Sequence, residues 1–271
     1  MPRVGKPSII ARIASTSKTT VCTSMNSTRS IQTVTFDLDD TLWSVGPVII
    51  NAERMRRDWL DEHCPEMTRR FDREALLKIR ARIVQADPGL IHDISALRIA
   101  SMTQAMELSG YDPEDADRLA RNAFEVFMEG RHTIDYFDGV LELLNSLHGE
   151  FRLGVISNGN ADVRRLSIGD YFDFAVAAGE VGSSKPEPDM FHRAMELAQC
   201  AAHSFVHIGD SWENDVLGAT QVGMHTIWVN LTESEPRSAH ELETEHEQVS
   251  ELESIPNAIE QIAKRVQPGT D

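Results

Sequence analysis

The apolar run TVTFD at 33–37 ends in acid, and the chain continues Asp37-Leu38-Asp39-Asp40-Thr41. Like charges this close repel: at about 4 Å and an effective dielectric near 20, each pair costs roughly 4 kcal/mol. Strand alternation predicts that Asp37 and Asp39 point to the same side, where both reach one phosphoryl group. Helix capping by Asp39 or Thr41 accounts for one such residue but not for the run. A second acidic end follows the apolar run FVHIG, in Gly209-Asp210-Ser211-Trp212-Glu213-Asn214-Asp215. Asp37, Asp39, Asp210 and Asp215 together outweigh Lys185, which Lys185-Pro186-Glu187-Pro188 holds in a stiffened stretch before a helix. A hard dication is the natural remedy, and magnesium takes oxygen ligands of this kind, often alongside phosphate. Ser157-Asn158-Gly159-Asn160 closes another apolar run. It offers a hydroxyl and backbone N–H groups to a phosphate oxygen, although the same string also makes an ordinary turn.

These residues need strands that end together. Five near-continuous apolar runs predict buried parallel strands: 33–37, 153–157, 174–178, 205–209 and 225–229. Helical periodicity separates the later ones. Residues 138–148 place Val140, Leu141, Leu144 and Leu147 on one face, 187–199 do the same with Met190, Phe191, Ala194 and Leu197, and a shorter helix is expected at 214–222. Strand–helix alternation predicts an α/β fold with a Rossmann-like, doubly wound parallel sheet. Such sheets bind ligands at the carboxyl ends of their strands, where both acidic clusters fall. Residues 46–132 break the rhythm, with amphipathic patterns at 47–62, 72–86, 93–109 and 113–130 and no strand. They read as an inserted helical bundle, with Asp112 as an N-cap and Pro113 at the first helical position. The core is then 33–45 plus 133–271, closing with an amphipathic helix at 255–266 after a Glu-rich stretch at 233–254.

The 271 residues carry a net charge of −17, from 43 acidic and 26 basic side chains. That balance argues against nucleic acid as a partner, because phosphate backbones are bound by Lys/Arg clusters. Cys22, Cys64 and Cys200 are odd in number and widely spaced, which suggests neither a disulfide framework nor a zinc site. No run approaches the roughly 20 apolar residues of a membrane span. A cytoplasmic protein, monomer or homodimer, is expected. Residues 1–32 hold Arg3, Lys6, Arg12, Lys18 and Arg29 and no acid, a composition like an organelle transit peptide. Because Met25 lies just before the first strand, a disordered leader over residues 1–24 or an overlong start is an equal alternative.

Taken together, the DxDxT string, Ser157-Asn158, Lys185-Pro186 and Gly209-Asp210-x4-Asp215 resemble the haloacid dehalogenase-like hydrolase superfamily, in its order, over residues 33–230. The resemblance implies that Asp37 is a nucleophile and Asp39 the general acid and then base. It implies that Ser157, Asn158, Lys185 and Thr41 hold phosphate, and that Asp37, Asp39 (by its backbone carbonyl) and Asp210 bind Mg2+, supported by Asp215. Dehalogenases of this fold need no metal and lack the acid matching Asp39, so the resemblance favours the phosphatase branch acting on a small phosphorylated metabolite. The insert resembles the superfamily's α-helical cap. Its HDISALR string at 92–98, with FDLDDTLW, SNGNAD and GMHTIWVN, is similar to a bacterial subgroup acting on flavin mononucleotide and on the phosphorylated ribitylaminouracil precursor of riboflavin. His92 and Arg98 would then face substrate, or else His92-Asp93 caps a helix and Arg98 lies on the surface. Trp43 would stack on a substrate ring or pack the cap hinge. A receiver-like phospho-acceptor protein and a haloacid dehalogenase are the competing readings. Receivers are much shorter and carry no such insertion.

Overall fold

The computed structural model describes residues 30–231 and 245–266. Most of the expected leader, residues 1–29, and most of the Glu-rich stretch lie outside the described residues. β1 (Thr33–Phe36) is followed by five helices: α1 (Val45–His63), α2 (Pro65–Arg70), α3 (Arg73–Ala86), α4 (Ile94–Leu108) and α5 (Pro113–Arg131). The chain continues through α6 (Val140–Leu147), β2 (Arg152–Ser157), β3 (Phe174–Ala177), α7 (Ala178–Val181), α8 (Pro188–Ala198) and β4 (Phe205–Gly209). A π-helical turn at Trp212–Leu217 leads into α9 (Gly218–Gln221), then β5 (His225–Val229), β6 (Glu247–Val249) and α10 (Ile255–Val266).

The six strands form one parallel sheet in the order β3-β2-β1-β4-β5-β6. β1 is therefore central, and its register pairs Phe36 with Val155 of β2 and Ile208 of β4. The burial of all four β1 residues follows from helices on both faces. Phe191 and Met190 of α8 and Ala219 of α9 pack with Ile156 and Phe205 on one face. Leu144 of α6 and Ile259 of α10 pack with Val34, Phe36 and Val155 in the core on the other. The acidic ends of β1 and β4 thus lie side by side at the carboxyl end of the sheet, in its middle.

Three local expectations change. In α6 the buried face is Val140, Leu143, Leu144 and Leu147, whereas Leu141 is 45% exposed. Gly139, in the left-handed region at φ 85°, ends the preceding turn and starts the helix at Val140, which sets the i, i+3, i+4, i+7 face. α8 buries Ala198 rather than Leu197, by the same periodicity. β6 is a strand that the sequence reading passed over, because its Glu247 and Gln248 resemble the polar stretch before them, but it pairs Val249 with Val229 at the sheet edge.

The helical insert has its own apolar cluster, which includes Ala52, Leu60, Met102, Met106, Phe124 and Phe127. Asp93 caps α4 by accepting from the Ala96 N–H, and Asp112 caps α5 from the Glu114 N–H, with Pro113 in the first turn. α1 and α5 cross closely at Gly130, where a Cβ would stand 2.6 Å from the Ala52 Cα. Trp43, before α1, bridges Tyr136, after α5, so the insert's two connections run together. Among the described residues, no helix is long and apolar enough to cross a membrane.

Candidate active site

Lys185 is the buried hub. Its ammonium donates to Asp37 Oδ1 at 2.6 Å, to Asp215 Oδ1 at 2.6 Å and to the Ile156 carbonyl at 2.7 Å. Asn158 holds its backbone from both sides: Lys185 N–H donates to Asn158 Oδ1 and Asn158 Nδ2 donates to the Lys185 carbonyl. Asn158 therefore positions Lys185, and its amide is already engaged rather than turned to an incoming phosphate. Beneath the hub lies His207, which the sequence reading missed. Its Nε2 lies 3.1 Å from Asp215 Oδ1 and its Nδ1 2.9 Å from Thr35 Oγ1. Because the carboxylate only accepts, Nε2 carries the proton and Nδ1 accepts from the threonine hydroxyl. Burial keeps His207 neutral, with a pKa below its ordinary value although Asp215 pulls the other way.

Asp37, Asp210 and Asp215 each bring an oxygen to within 4.8 Å of the others. Burial, reinforced by Asp215 and Asp210, pushes the Asp37 carboxyl up to about 8 against the opposing pull of Lys185. Burial and the charge of Asp215 push Asp210 up to about 6. Burial also acts to raise Asp215, but Lys185 and the His207 N–H override it and hold it down to about 2. Protons pressed onto two of three clustered acids are what an acid-rich site shows before a cation neutralises it. The donor set is all oxygen and outnumbers its one lysine, which fits a hard dication. Asp215 is the least available, since its oxygens already accept from Lys185, His207 and the Ser211 N–H.

Thr41 joins this cluster differently from the expectation. Its hydroxyl is fully buried, donates to Asp210 Oδ1 and accepts from the Asp210 N–H, both at 3.1 Å. It ties the β1 loop to the β4 loop rather than offering itself to phosphate. Trp228 Nε1 fixes the same loop through the Asp210 carbonyl at 2.8 Å.

Asp39 does not join the other acids. The strand ends at Phe36, and the chain then turns tightly, with Leu42 N–H on the Leu38 carbonyl and Asp40 in the left-handed region at φ 59°. Strand alternation therefore stops before Asp39. Its carboxylate meets Arg131, whose Nη2 donates to Oδ1 at 2.7 Å and to Oδ2 at 2.6 Å, and Trp43 Nε1 donates to Oδ1 at 3.0 Å. A Cβ on Gly159 would lie 2.5 Å from Asp39 Oδ2, so glycine lets the carboxylate seat there. Arg131 is the largest omission of the sequence reading. Its signal was present: it continues the apolar stripe Phe124, Phe127, Met128 of α5 by helical spacing, and a charge on a buried stripe demands a partner.

The remaining candidates divide. Ser157 is buried beside the hub, and its hydroxyl accepts from the Gly159 N–H at 3.0 Å. His92 lines a cavity of about 330 Å³ with Ser157, Asn160, Asp162 and Glu180, and its Nδ1 lies 2.7 Å from Ser184 Oγ. Arg98 turns into the insert, ion-paired to Glu53 and 4.2 Å over the Phe127 ring. Trp43 is fully buried and meets Tyr136 edge-on at 6.0 Å, so of its two alternatives it packs the hinge.

Four similarities bear on this geometry. The model of the haloacid dehalogenase-like hydrolase family matches residues 31–223. The Escherichia coli (strain K12) protein named 5-amino-6-(5-phospho-D-ribitylamino)uracil phosphatase YigB is 36% identical over 199 residues, spanning 73% of this chain and 83% of that protein. A crystal structure described as the 2-haloacid dehalogenase of Pseudomonas syringae pv. Tomato DC3000 is 42% identical, with TM-score 0.81, covering 85% of this chain and 99% of that one. A HAD phosphatase from Thermococcus onnurineus shares the fold at 19% identity, with TM-score 0.57 over 84% of this chain and 98% of that one.

Proposed function

Because the chain belongs to the haloacid dehalogenase-like hydrolase family and is an enzyme of its phosphoric monoester hydrolase kind, we propose that it works through Asp37 with bound Mg2+. The observation that carries this reading is the shared geometry of Asp37, Asp210, Asp215 and Lys185: three acids within 4.8 Å and one buried ammonium between two of them. Asp37 and Asp210 would hold the ion with the Asp39 carbonyl, and Asp215 would support them by fixing Lys185. The ion, when bound, neutralises charge on Asp37 and on the phosphoryl oxygens.

The carboxylate of Asp37 attacks phosphorus, the bond to the leaving oxygen breaks, and Asp39 supplies the proton that oxygen takes. The products of this half are an alcohol and an aspartyl-phosphate. Lys185 and the Ser157 hydroxyl face the phosphoryl group and stabilise its charge. Little covalent work remains for the protein, so placement of these groups carries the rate. The helical insert acts as a cap over the strand ends, with its two paired connections serving as the hinge.

For the substrate, the identity to YigB and the polar rim of the cleft support one reading. The cavity beside Ser157 is rimmed by His92, Asn160, Asp162 and Glu180, groups that hydrogen-bond hydroxyls. A phosphorylated polyol carrying a ring, such as the ribitylaminouracil phosphate of the relative's name or flavin mononucleotide, suits that rim. The test is release of phosphate from an aryl phosphate and from these two esters, with and without Mg2+, beside Asp37→Asn. Equal release by wild type and Asp37→Asn contradicts the proposal. A second reading, dehalogenation, is favoured by the description of the Pseudomonas structure. It predicts halide release from a 2-haloacid that persists with chelator, and Asp39 argues against it.

A further inference from the structure

Arg131 is buried to 1% relative exposure, and Asp39 is its only carboxylate partner among the described ion pairs. Its Nε donates to Asn160 Oδ1 at 3.3 Å, while its Nη1 is buried with no hydrogen-bond partner. Stability does not account for such a residue. A buried ion pair is commonly no better than apolar side chains of the same volume, and an orphaned donor makes it worse. The arrangement is, however, well suited to fixing a carboxylate. Arg131 Nη2 takes both oxygens, Trp43 Nε1 takes Oδ1 from another direction, and the Gly159 backbone closes behind Oδ2. Both donors come from the insert's connections: Trp43 where the chain enters it and Arg131 where α5 ends.

We infer that Arg131 is the positioning residue for the second half-reaction, in which it holds Asp39 as the acceptor that activates water against the aspartyl-phosphate. The inference rests on the function proposed above. In that half, a water oxygen bonds to phosphorus, and the bond from phosphorus to the Asp37 oxygen breaks, its electron pair returning to the Asp37 carboxylate. One water proton passes to Asp39 and the other stays on the released hydrogen phosphate. The proton on Asp39 is the one given to the next leaving oxygen, so the cycle balances. An ion-paired carboxylate with its plane fixed by three contacts presents a lone pair in one direction, as this step requires.

The experiment is rapid-quench kinetics with 2,4-dinitrophenyl phosphate, whose leaving group departs without a proton. In Arg131→Gln, phosphoryl transfer stays within about threefold of wild type while decay of the phosphoenzyme slows by about 10²-fold, the usual range of a base contribution. A burst approaching one dinitrophenolate per site follows, and Arg131→Lys recovers part of the decay rate. Trp43→Phe, which removes only the second donor, shows the same pattern more weakly and serves where Arg131→Gln does not fold. Parallel loss of both steps, with no phosphoenzyme accumulating, overturns the inference and leaves Arg131 a structural residue. Turnover by Asp37→Asn equal to wild type instead overturns the function on which it rests.

Discussion

Replacing Lys185 by Met removes one charge and keeps a side chain of similar length. Lys185 is 4% exposed, and its ammonium holds two carboxylates at 2.6 Å each. Without it, Asp37 and Asp215 face each other and Asp210 unrelieved, at roughly 4 kcal/mol per like-charged pair at 4 Å and an effective dielectric near 20. The fold sheds part of this by protonating acids, which leaves the about 3–5 kcal/mol typical of breaking a buried pair. In a chain of this size, that corresponds to a fall in Tm of about 10 °C. Mg2+ supplies the missing positive charge, so the variant gains more stability from the ion than wild type does. Catalysis does not recover with it, because charge stabilisation at the phosphoryl group is lost: kcat/KM falls by at least about 10²-fold at saturating Mg2+. The assay is thermal unfolding at pH 8 in chelator and in Mg2+, with phosphate release on the same samples. A variant within about 1 kcal/mol of wild type in chelator, or equally stabilised by the ion, refutes the electrostatic reasoning.

Further outcomes follow from the same contacts. Gly159→Ala places a Cβ 2.5 Å from Asp39 Oδ2, so the carboxylate shifts; phosphate release drops by about 10-fold or more. Gly130→Ala meets the Ala52 backbone at 2.6 Å, a contact between two helices that cannot simply rotate away; unfolding midpoints in urea report a loss of about 1–3 kcal/mol. In chelator, the two raised acids contribute stability that falls as pH rises from about 4 to about 8, read as the difference from the same protein in saturating Mg2+. Asp210 and Asp37 are raised to about 6 and about 8, so the fold binds more protons than the unfolded chain across that window, and their contribution is lost through those values. Saturating Mg2+ abolishes this descent. The lowered pKa values of His132, His207 and His225 act with the opposite sign: burial keeps them neutral in the fold, and stability is lost as pH falls below about 6.5, with or without the ion. Tm measured against pH in both conditions checks both slopes.

What was legible in the sequence is what local rules determine. β1, β2, β4 and β5 were visible because a strand covered on both faces must be apolar along its length; β3 was visible by the same apolar run, although at the sheet edge only its Val176 is buried. The cap at Asp112 was visible because a carboxylate before a Pro-led helical run has a plain local use, while the cap at Asp93 stood only as the alternative to a substrate role for its neighbours. Asp37, Lys185, Asp210 and Asp215 were legible as a group because their charges demand one another across the sheet. What stayed hidden depended on contacts between distant segments. Thr41 was counted with phosphate, yet its partner is Asp210, 169 positions away. Asp39 was placed by strand alternation, which ends one residue before Asp37, and its true partner arrives from α5. Trp43 and Arg98 were ambiguous because an aromatic ring or a guanidinium serves a ligand or a core equally well until its neighbours are known. β6 was concealed by polar residues that an edge strand tolerates.

The most direct test is to find where phosphate goes. Wild-type enzyme turning over a phosphate ester in Mg2+ is quenched in acid within one turnover, digested, and its peptides mapped for covalent phosphate. Phosphate on Asp37, absent from Asp37→Asn and chased off the enzyme as turnover proceeds, is the expected result. Phosphate release without any covalent phosphate on Asp37, or with phosphate on another residue, contradicts the reading of this site.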